Sequence, residues 1–288
     1  MVRKRLGTLA AFAAAASLSL TACGSTPAPT ADSFGSCQVY GTKGSVSIKP
    51  VTENTLTVET NLPSPGWWKG TSPDSIDGGY EYCLAANIAH RAGLAYVKVV
   101  NASFDGLVAG QTKDFDIAMA QVSITPEREK VVQFSTSYFD SNVAVLAKKD
   151  SGITASNIAS KKLGVALGTT SVDFVTNTLK PETPARVFPD TDTMVTAVAA
   201  GQIDAAIQDT AIVLGFAHAS SGALDVIGQY KTGEKYGAIY PKGSANAAAM
   251  DEAIDAMSAD GTLAKLSASW LGPTLGGDPA KVSVFPTP

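Results

Sequence analysis

The sequence predicts an α/β fold built from two similar halves. Three observations support this prediction: segments that alternate between strand and helix periodicity, the recurrence of that order along the chain, and a short motif that occurs twice. The motif is Ala-Gly-Gln at 109–111 and 200–202, and each copy shortly precedes a strand with Asp at its second position. The length of 288 residues allows about two domains of ordinary size.

The elements follow the same order in each half. In the first half we predict strands over 54–60, 96–100 and 115–119, with helices over 79–92 and 104–110. In the second half we predict strands over 163–167, 186–188 and 203–207, with helices over 171–179 and 191–200. Two further helices are expected over 246–258 and 262–271, followed by a loose Gly- and Pro-rich tail, 272–288. The β-α-β-α-β order predicts parallel strands covered by helices.

Composition excludes several classes of function. The chain is 45% hydrophobic with a formal net charge of -4, and no dense Lys/Arg run follows residue 5, which argues against nucleic-acid binding. Two histidines and three cysteines, with no HExxH and no CxxC, indicate no metal site and no cofactor.

The N-terminus has the pattern of an export signal. Arg3, Lys4 and Arg5 precede the apolar segment 6–20, which is shorter than the roughly 20 residues that a spanning helix needs. The run Leu-Thr-Ala-Cys ending at Cys23 resembles the bacterial lipobox, which implies cleavage before Cys23 and its acylation. We therefore expect a lipoprotein signal peptide over 1–22, a lipidated Cys23 with a flexible tether over 23–49, and attachment to the outer side of the cell membrane through lipid only. The alternative is a plain secretion signal with an incidental cysteine.

Cys37 and Cys83 remain after processing. An exported protein lies in an oxidising compartment, so the two thiols can form a disulfide. The alternative is two unpaired thiols, one of them buried in a helix. The sequence does not decide between them because it does not supply the distance between the Cα atoms.

Seven blocks of sequence, in order along the chain, resemble one family. They are Leu-Thr-Val-Glu-Thr-Asn at 56–61 with Pro-Gly-Trp at 65–67, Gly-Tyr-Glu-Tyr at 79–82, Phe-Asp-Gly-Leu at 104–107, the Ser-Ile-Thr-Pro-Glu-Arg block at 123–135, Leu-Gly-Val-Ala-Leu-Gly-Thr-Thr at 163–170, the strand 203–209, and Asp-Gly-Thr-Leu at 260–263 with Trp-Leu-Gly at 270–272. Together they resemble the extracellular solute-binding proteins of polar amino-acid ABC transporters.

The resemblance implies a two-lobed, type II periplasmic-binding-protein fold with a central ligand cleft. Lobe 1 would comprise 50–141 plus 237–288, lobe 2 would comprise 142–236, and two hinge-crossing strands would lie near 142–146 and 234–240. Such a protein captures a free amino acid, closes over it by a hinge, and delivers it to the permease subunits of an ABC importer. We expect a monomer without enzymatic activity.

The resemblance also assigns ligand-binding residues. Arg128 can bind the amino acid's carboxylate with two parallel hydrogen bonds, and Ser123 and Thr170 would add donors. Thr169 and Thr170 lie where a strand turns into a helix, a position whose N–H groups favour an anion, and the resemblance places Gln121 nearby. Asp209 would bind the ammonium group. The structural alternatives are a surface arginine for Arg128 and simple helix capping for Asp209 and both threonines.

Three further residues would contact the ligand's side chain. Trp67 and Phe104 align with aromatic walls of the family, although both could instead pack under loops. Asn61 stands where several relatives carry an acid, and a buried cation there would lack its counter-charge. We therefore favour a ligand with a neutral polar or aromatic side chain.

Two other functions stay open. Some proteins of this fold are dehydratases, for which Glu81 and Glu127 are the nearest candidate acids, and others are ligand-sensing domains that act through a signalling partner.

Overall fold

The computed structural model describes residues 34–288, and strands and helices alternate there in the predicted order. The strands are β1 Thr55–Thr60, β2 Tyr96–Asn101, β3 Ile117–Ala118, β4 Gln133–Lys148, β5 Leu163–Ala166, β6 Arg186–Phe188, β7 Ala205–Asp209 and β8 Leu224–Tyr240. The α-helices are α1 Tyr80–Arg91, α2 Phe104–Val108, α3 Pro126–Glu129, α4 Thr170–Asp173, α5 Thr191–Ala199, α6 Thr210–Ala219, α7 Ala247–Ala259, α8 Thr262–Leu266 and α9 Gly272–Leu275. Helices α4 and α8 continue as π-helical segments, Phe174–Leu179 and Ser267–Leu271. Short 3-10 turns lie at Pro73–Ser75, Ile158–Ser160 and Pro279–Lys281.

The strands form one sheet in the order β2-β1-β3-β8-β4-β7-β5-β6. In the first half, β1 is parallel to both β2 and β3; in the second half, β5 is parallel to both β6 and β7. The predicted α/β class with parallel strands in each half is therefore confirmed.

Two long antiparallel strands join the two halves. β4 pairs with β8 from Gln133 opposite Tyr240 to Lys148 opposite Leu224, with several irregularities in register. The same two strands also pair outward: Ile239 of β8 lies opposite β3, and β4 pairs with β7. The sequence prediction marked only the segments 142–146 and 234–240, whereas each strand extends through both halves.

The start of α1 depends on a glycine. Gly79 precedes the helix at φ 107°, and a Cβ built there would lie 2.3 Å from the carbonyl oxygen of Trp67. No other residue type fits, because the backbone of the preceding loop passes directly over this position. The contact brings the loop that contains Trp67 and Trp68 against the first turn of α1.

Each half has its own apolar core. In the first half, α1 packs on β1 and against α7 and α8, and the core that they share contains Leu56, Ile88 and Met257, all fully buried. In the second half, two clusters contain residues such as Met194 and Ile207. Apolar burial of this kind is the main force that holds each half together.

Residues 34–49 pack against the first half of the protein, which corrects the prediction that a flexible tether extends through residue 49. Phe34 is 2% exposed and belongs to the first-half core. The backbone N–H of Tyr40 donates to Asn87 Oδ1 at 2.7 Å, and the N–H of Val46 donates to the carbonyl of Arg91 at 2.9 Å. Asn87 is buried in α1, so the segment provides hydrogen bonds for a polar group that would otherwise lack them.

The C-terminal segment is also docked, which corrects the prediction of a loose tail. The backbone of Gln229 in β8 donates to the carbonyl of Ser283 at 2.8 Å and accepts from the N–H of Phe285 at 2.7 Å. The Phe285 ring packs against Tyr230, with ring centroids 5.8 Å apart. This segment therefore contacts the strand that joins the halves.

Two other differences concern the second half. The strand predicted over 203–207 is instead β7, Ala205–Asp209. Its pairing with β5 begins at Ala205, and its pairing with β4 extends to Gln208 and Asp209. Helix α6 was not given a predicted range, although the capping alternative for Asp209 implies a helix that begins there.

Within residues 34–288, no helix combines the length and hydropathy needed to cross a bilayer, and no group of three metal-ligating side chains occurs. The signal-peptide and lipobox predictions, including Cys23, lie outside the described residues.

The structure joins Cys37 to Cys83 by a disulfide, with Cα atoms 5.2 Å apart. It links the docked N-terminal segment to α1. Closing a loop of 46 residues restricts the unfolded chain, which by the chain-entropy relation stabilises the native state by about 4 kcal/mol.

We predict that removing this disulfide lowers the melting temperature by about 10 °C, given a few degrees for each kcal/mol in a domain of this size. The test is thermal unfolding of a Cys37→Ser/Cys83→Ser variant in a Cys23→Ser background, compared with Cys23→Ser alone. Two titratable thiols in the unfolded, unreduced Cys23→Ser protein would contradict the pairing.

Candidate functional site

A cavity lies between the two halves of the sheet. It contains about 550 Å³ of space, part of it open to solvent. Eight of the nine predicted ligand-binding residues line it: Asn61, Phe104, Gln121, Ser123, Arg128, Thr169, Thr170 and Asp209. Trp67 does not. The structure therefore brings together residues that are distant in sequence and that come from both halves.

Arg128 lies in the first turn of α3. Thr125 caps this helix, accepting a hydrogen bond from the Arg128 N–H at 3.2 Å, and Pro126 fixes the first helical position. The guanidinium is buried and donates through Nη1 to the carbonyl of Ser123 at 2.6 Å and through Nη2 to the carbonyl of Gly168 at 2.8 Å. Gly168 belongs to the turn after β5, so Arg128 connects the two halves.

The electrostatic surroundings of Arg128 are mixed. Burial lowers the pKa of Arg128, while the carboxylates of Asp209 and Glu234 raise it. The guanidinium carbon also lies 5.6 Å from the centre of the Phe104 ring, a cation–π distance. A guanidinium offers five N–H donors, and the two carbonyls use two of them, so the same group can also bind an anion in the cavity.

Asp209 ends β7 and is 3% exposed. Its carboxylate accepts a hydrogen bond from the Tyr236 hydroxyl at 2.6 Å. Burial raises the pKa of Asp209 well above its usual range, and the nearby Glu234 raises it further, whereas the Tyr236 hydrogen bond and Arg128 lower it. A cation beside Asp209 would favour the ionised form, so the position suits a positively charged ligand group.

A third charged group, Glu234 of β8, lies beside the cavity and was missed by the sequence analysis. Its carboxylate accepts hydrogen bonds from the Ser123 hydroxyl and, at 2.9 Å, from the Thr170 hydroxyl. The Thr169 hydroxyl instead donates to the carbonyl of Ala166 at 2.7 Å. No sequence signal pointed to Glu234, because it lies within a strand rather than at a strand end.

Gln121 is held by a buried acid. It adopts φ 53°, its backbone N–H donates to Glu81 Oε1 at 2.8 Å, and its side-chain amide donates to Glu81 Oε2. The side-chain oxygen Oε1 of Gln121 accepts a hydrogen bond from the Ser64 hydroxyl at 2.8 Å, and both residues line the cavity. Glu81 thus fixes one wall of the cavity from behind.

Glu81 itself is completely buried and does not line the cavity. It also accepts hydrogen bonds from Trp68 Nε1 at 2.8 Å and from the Tyr138 hydroxyl. Burial raises the pKa of Glu81, and these hydrogen bonds lower it. Glu127, the other candidate acid, is exposed on α3 and is not part of the cavity lining either.

The prediction that Trp67 covers the ligand is contradicted by its position. Trp67 is fully buried and packs edge-on against Tyr80, Phe139 and Tyr236, with ring centroids 4.9–5.6 Å apart. The Ser64 carbonyl accepts from the N–H groups of both Trp67 and Trp68, and this tight turn directs the Trp67 ring into the core. Phe104, in contrast, does line the cavity.

Further lining residues were not predicted as ligand contacts. They are Pro63, Ser64, Ala120, Ala166, Leu167, Asp190, Thr191, Gln208, Ile212 and Phe216. Asp190 and Thr191 follow β6, and Gln208 is the last residue but one of β7, so the rule that ligands bind at the carboxyl ends of strands points to these three. Ile212 and Phe216 belong to α6, the helix that follows Asp209.

A sequence profile of the bacterial extracellular solute-binding proteins, family 3, matches residues 73–273. The L-cystine-binding protein TcyJ of Escherichia coli (strain K12) is 31% identical over 199 residues, which cover 67% of this chain and 74% of the relative. The ABC transporter arginine-binding protein 1 of the same strain is 29% identical over 177 residues, which cover 59% of this chain and 72% of the relative.

Solved structures show the same similarity. An ancestral arginine-binding protein bound to glutamine matches with a TM-score of 0.68 at 28% sequence identity, covering 77% of this chain and 99% of that chain. The ancestral amino acid-binding protein AncCDT-1, a precursor of cyclohexadienyl dehydratase, matches with a TM-score of 0.65 at 28% identity, covering 76% of this chain and 95% of that chain.

We predict that Glu81→Ala destabilises the protein by about 3 kcal/mol or more, because the buried donors of Trp68, Tyr138 and Gln121 lose their acceptor. Urea unfolding measures the change. The matched control is Glu252→Ala on the exposed side of α7, which makes the same charge change and should leave stability within about 0.5 kcal/mol. Equal stability of the two variants would show that the Glu81 network contributes nothing.

Proposed function

Because this chain belongs to the bacterial extracellular solute-binding proteins, family 3, we propose that it captures a free amino acid outside the cell and delivers it to an ABC-type importer. Its fold is the type II periplasmic binding fold, shared with amino-acid-binding proteins of known structure. The observation that carries the proposal is that Arg128 and Asp209, from opposite halves of the sheet, line one cavity.

In this proposal Arg128 binds the amino acid's carboxylate. Its remaining N–H groups face an anion while Nη1 and Nη2 hold the Ser123 and Gly168 carbonyls. A guanidinium keeps its charge even when buried, and its planar donors match the two oxygens of a carboxylate. Ser123 and Thr170 contribute hydroxyl donors from the two halves.

Asp209 binds the ammonium group. Its buried carboxylate has no cation in direct contact among the residues the structure describes, and the Tyr236 hydroxyl fixes its orientation. An ammonium group would supply the missing charge. Because the two ligand-binding charges come from different halves, a zwitterion stabilises the closed arrangement over an open one.

The two halves act as lobes about the hinge strands. We propose lobe 1 as 50–141 plus 237–288 and lobe 2 as 142–236, with β4 and β8 as the crossings. The C-terminal segment departs from this division. Ser283 and Phe285 fall within the range of lobe 1 but form backbone hydrogen bonds with Gln229, which lies in lobe 2.

We propose a ligand with a neutral polar or aromatic side chain. The amide of Asn61 and the rings of Phe104 and Phe216 support this choice, since all three line the cavity. The Asn61 amide Nδ2 donates to the carbonyl of Ala102 at 2.9 Å, and a neutral amide supplies no counter-charge for a cationic side chain. Cystine and glutamine, which relatives are named for binding or hold in their structures, belong in the first set of ligands tested.

A transport role fits the site better than an enzymatic one. AncCDT-1 is a precursor of a dehydratase, so the fold alone does not exclude catalysis. A dehydratase needs an acid that faces the substrate's leaving hydroxyl, and neither Glu81 nor Glu127 lines the cavity. Two other acids line it, but Asp190 caps α5 by accepting from the Thr193 N–H, and Asp209 is assigned to the ammonium group.

We also propose that Cys23 carries the lipid anchor and that the monomer meets its permease at the outer face of the cell membrane. The support is the lipobox-like sequence that ends at Cys23, together with the extracellular character of the family.

We predict that Arg128→Ala weakens amino-acid binding by about a hundred-fold or more, because two charge-assisted hydrogen bonds to the carboxylate are worth about 3–6 kcal/mol together. Isothermal titration calorimetry with the best ligand from a thermal-shift screen measures it. Arg186→Ala, which removes the same charge from an exposed position on β6, is the control. An unchanged affinity in Arg128→Ala would refute the assignment.

We predict that Cys23→Ser moves the protein from the membrane fraction to the soluble fraction, because the acyl chains have no other attachment point. Cell fractionation and immunoblotting measure this, with Cys37→Ser/Cys83→Ser as the control that keeps Cys23. Continued retention of Cys23→Ser in the membrane would exclude the anchor.

A further inference from the structure

Glu234 occupies an unusual place in the site. It lies on β8, opposite Ser141 of β4, within the segment that joins the two halves. Its half-buried carboxylate accepts hydrogen bonds from Ser123 in one half and from Thr170 in the other. The other carboxylate oxygen lies 3.3 Å from the Thr232 hydroxyl. One carboxylate thus connects three elements across the cleft.

The two hydroxyls that Glu234 engages are the same two that would serve a ligand's carboxylate. A hydroxyl has a single proton, so it can donate to only one acceptor at a time. While Ser123 and Thr170 donate to Glu234, they cannot donate to a bound amino acid. The ligand must therefore compete for these two donors.

The charges in the cleft also indicate that a ligand's carboxylate must compete with Glu234. Glu234 is close enough to Asp209 to raise the pKa of that carboxyl, and close enough to Arg128 to favour its charged form. One guanidinium is therefore shared by two internal acids. A ligand's carboxylate adds a third negative charge unless Glu234 moves away.

We propose that Glu234 is an internal competitor for the ligand's carboxylate: it holds the Ser123 and Thr170 hydroxyls, closes the cleft in the absence of an amino acid, and is displaced when one binds. This inference rests on the proposed function, since it takes the ligand to be an amino acid. Glu234 thereby sets the affinity threshold of the site, because every ligand must replace two charge-assisted hydrogen bonds before it gains its own.

Two measurements on the full-length chain carrying Cys23→Ser test the proposal. Calorimetry with the best amino acid should show that Glu234→Ala binds about tenfold more tightly or better, since one hydrogen bond to a charged group is worth about that factor. Glu234→Gln, which keeps the size but not the charge, should change in the same direction by less. Glu252→Ala, which removes an exposed acid on α7, should bind like the parent protein.

The second measurement needs no ligand. Small-angle X-ray scattering without amino acid should give a larger radius of gyration for Glu234→Ala than for the parent protein, because the Glu234 link to Thr170 is lost and the hydrogen bond from Arg128 to Gly168 must then hold the cleft without it. An unchanged radius would overturn the proposal whether or not a ligand is known. Weaker amino-acid binding by Glu234→Ala would also overturn it, because Glu234 would then be a ligand contact.

These outcomes differ from a failure of the proposed function. If the function is wrong, no amino acid binds the parent protein or any variant, while the change in radius of Glu234→Ala still reports on the link.

Discussion

The contact on which the rest of the site depends is the pair of hydrogen bonds from Arg128 to the carbonyls of Ser123 and Gly168. These carbonyls belong to different halves of the sheet, so one buried cation connects them across the cavity. A buried guanidinium is tolerated only where acceptors and counter-charges surround it. Here two carbonyls and the nearby carboxylates of Asp209 and Glu234 provide them, and the same surroundings make the cavity suitable for a zwitterion.

Buried carboxylates organise the rest of the cavity in different ways. Glu81 accepts hydrogen bonds from Trp68, Tyr138 and Gln121 and acts from behind the wall, whereas Asp209 lines the cavity itself. The difference lies in the number of donors around each acid. Protein donors occupy the Glu81 carboxylate. The Asp209 carboxylate accepts hydrogen bonds from the Tyr236 hydroxyl and from its own backbone N–H, so Asp209 can accept further hydrogen bonds from a ligand.

Local sequence patterns predicted most elements of the fold, and the resemblance to a known family predicted much of the site. Eight of the residues that the resemblance assigned line the cavity, several of them at or after the carboxyl ends of strands that meet at one edge of the sheet. Trp67 was wrongly placed because its role was carried over from the family resemblance, whereas the turn at Ser64 directs its ring into the core. Glu234 was missed for a different reason: its position follows from the pairing of β8 with β4, which joins residues some ninety positions apart and is invisible in a single segment.

The docked C-terminal segment has a consequence for how the protein can be shortened or labelled. The side-chain amide of Gln229 donates hydrogen bonds to the carbonyls of Pro279 and Val282. The Phe285 ring packs directly on Gly228, where a larger residue would collide with it. Deleting the last ten residues would strip an aromatic cover from Tyr230 and leave a buried amide without acceptors. A purification tag or fluorescent reporter fused after Pro288 would follow Phe285 by three residues, and Phe285 is hydrogen-bonded to a strand that crosses between the halves.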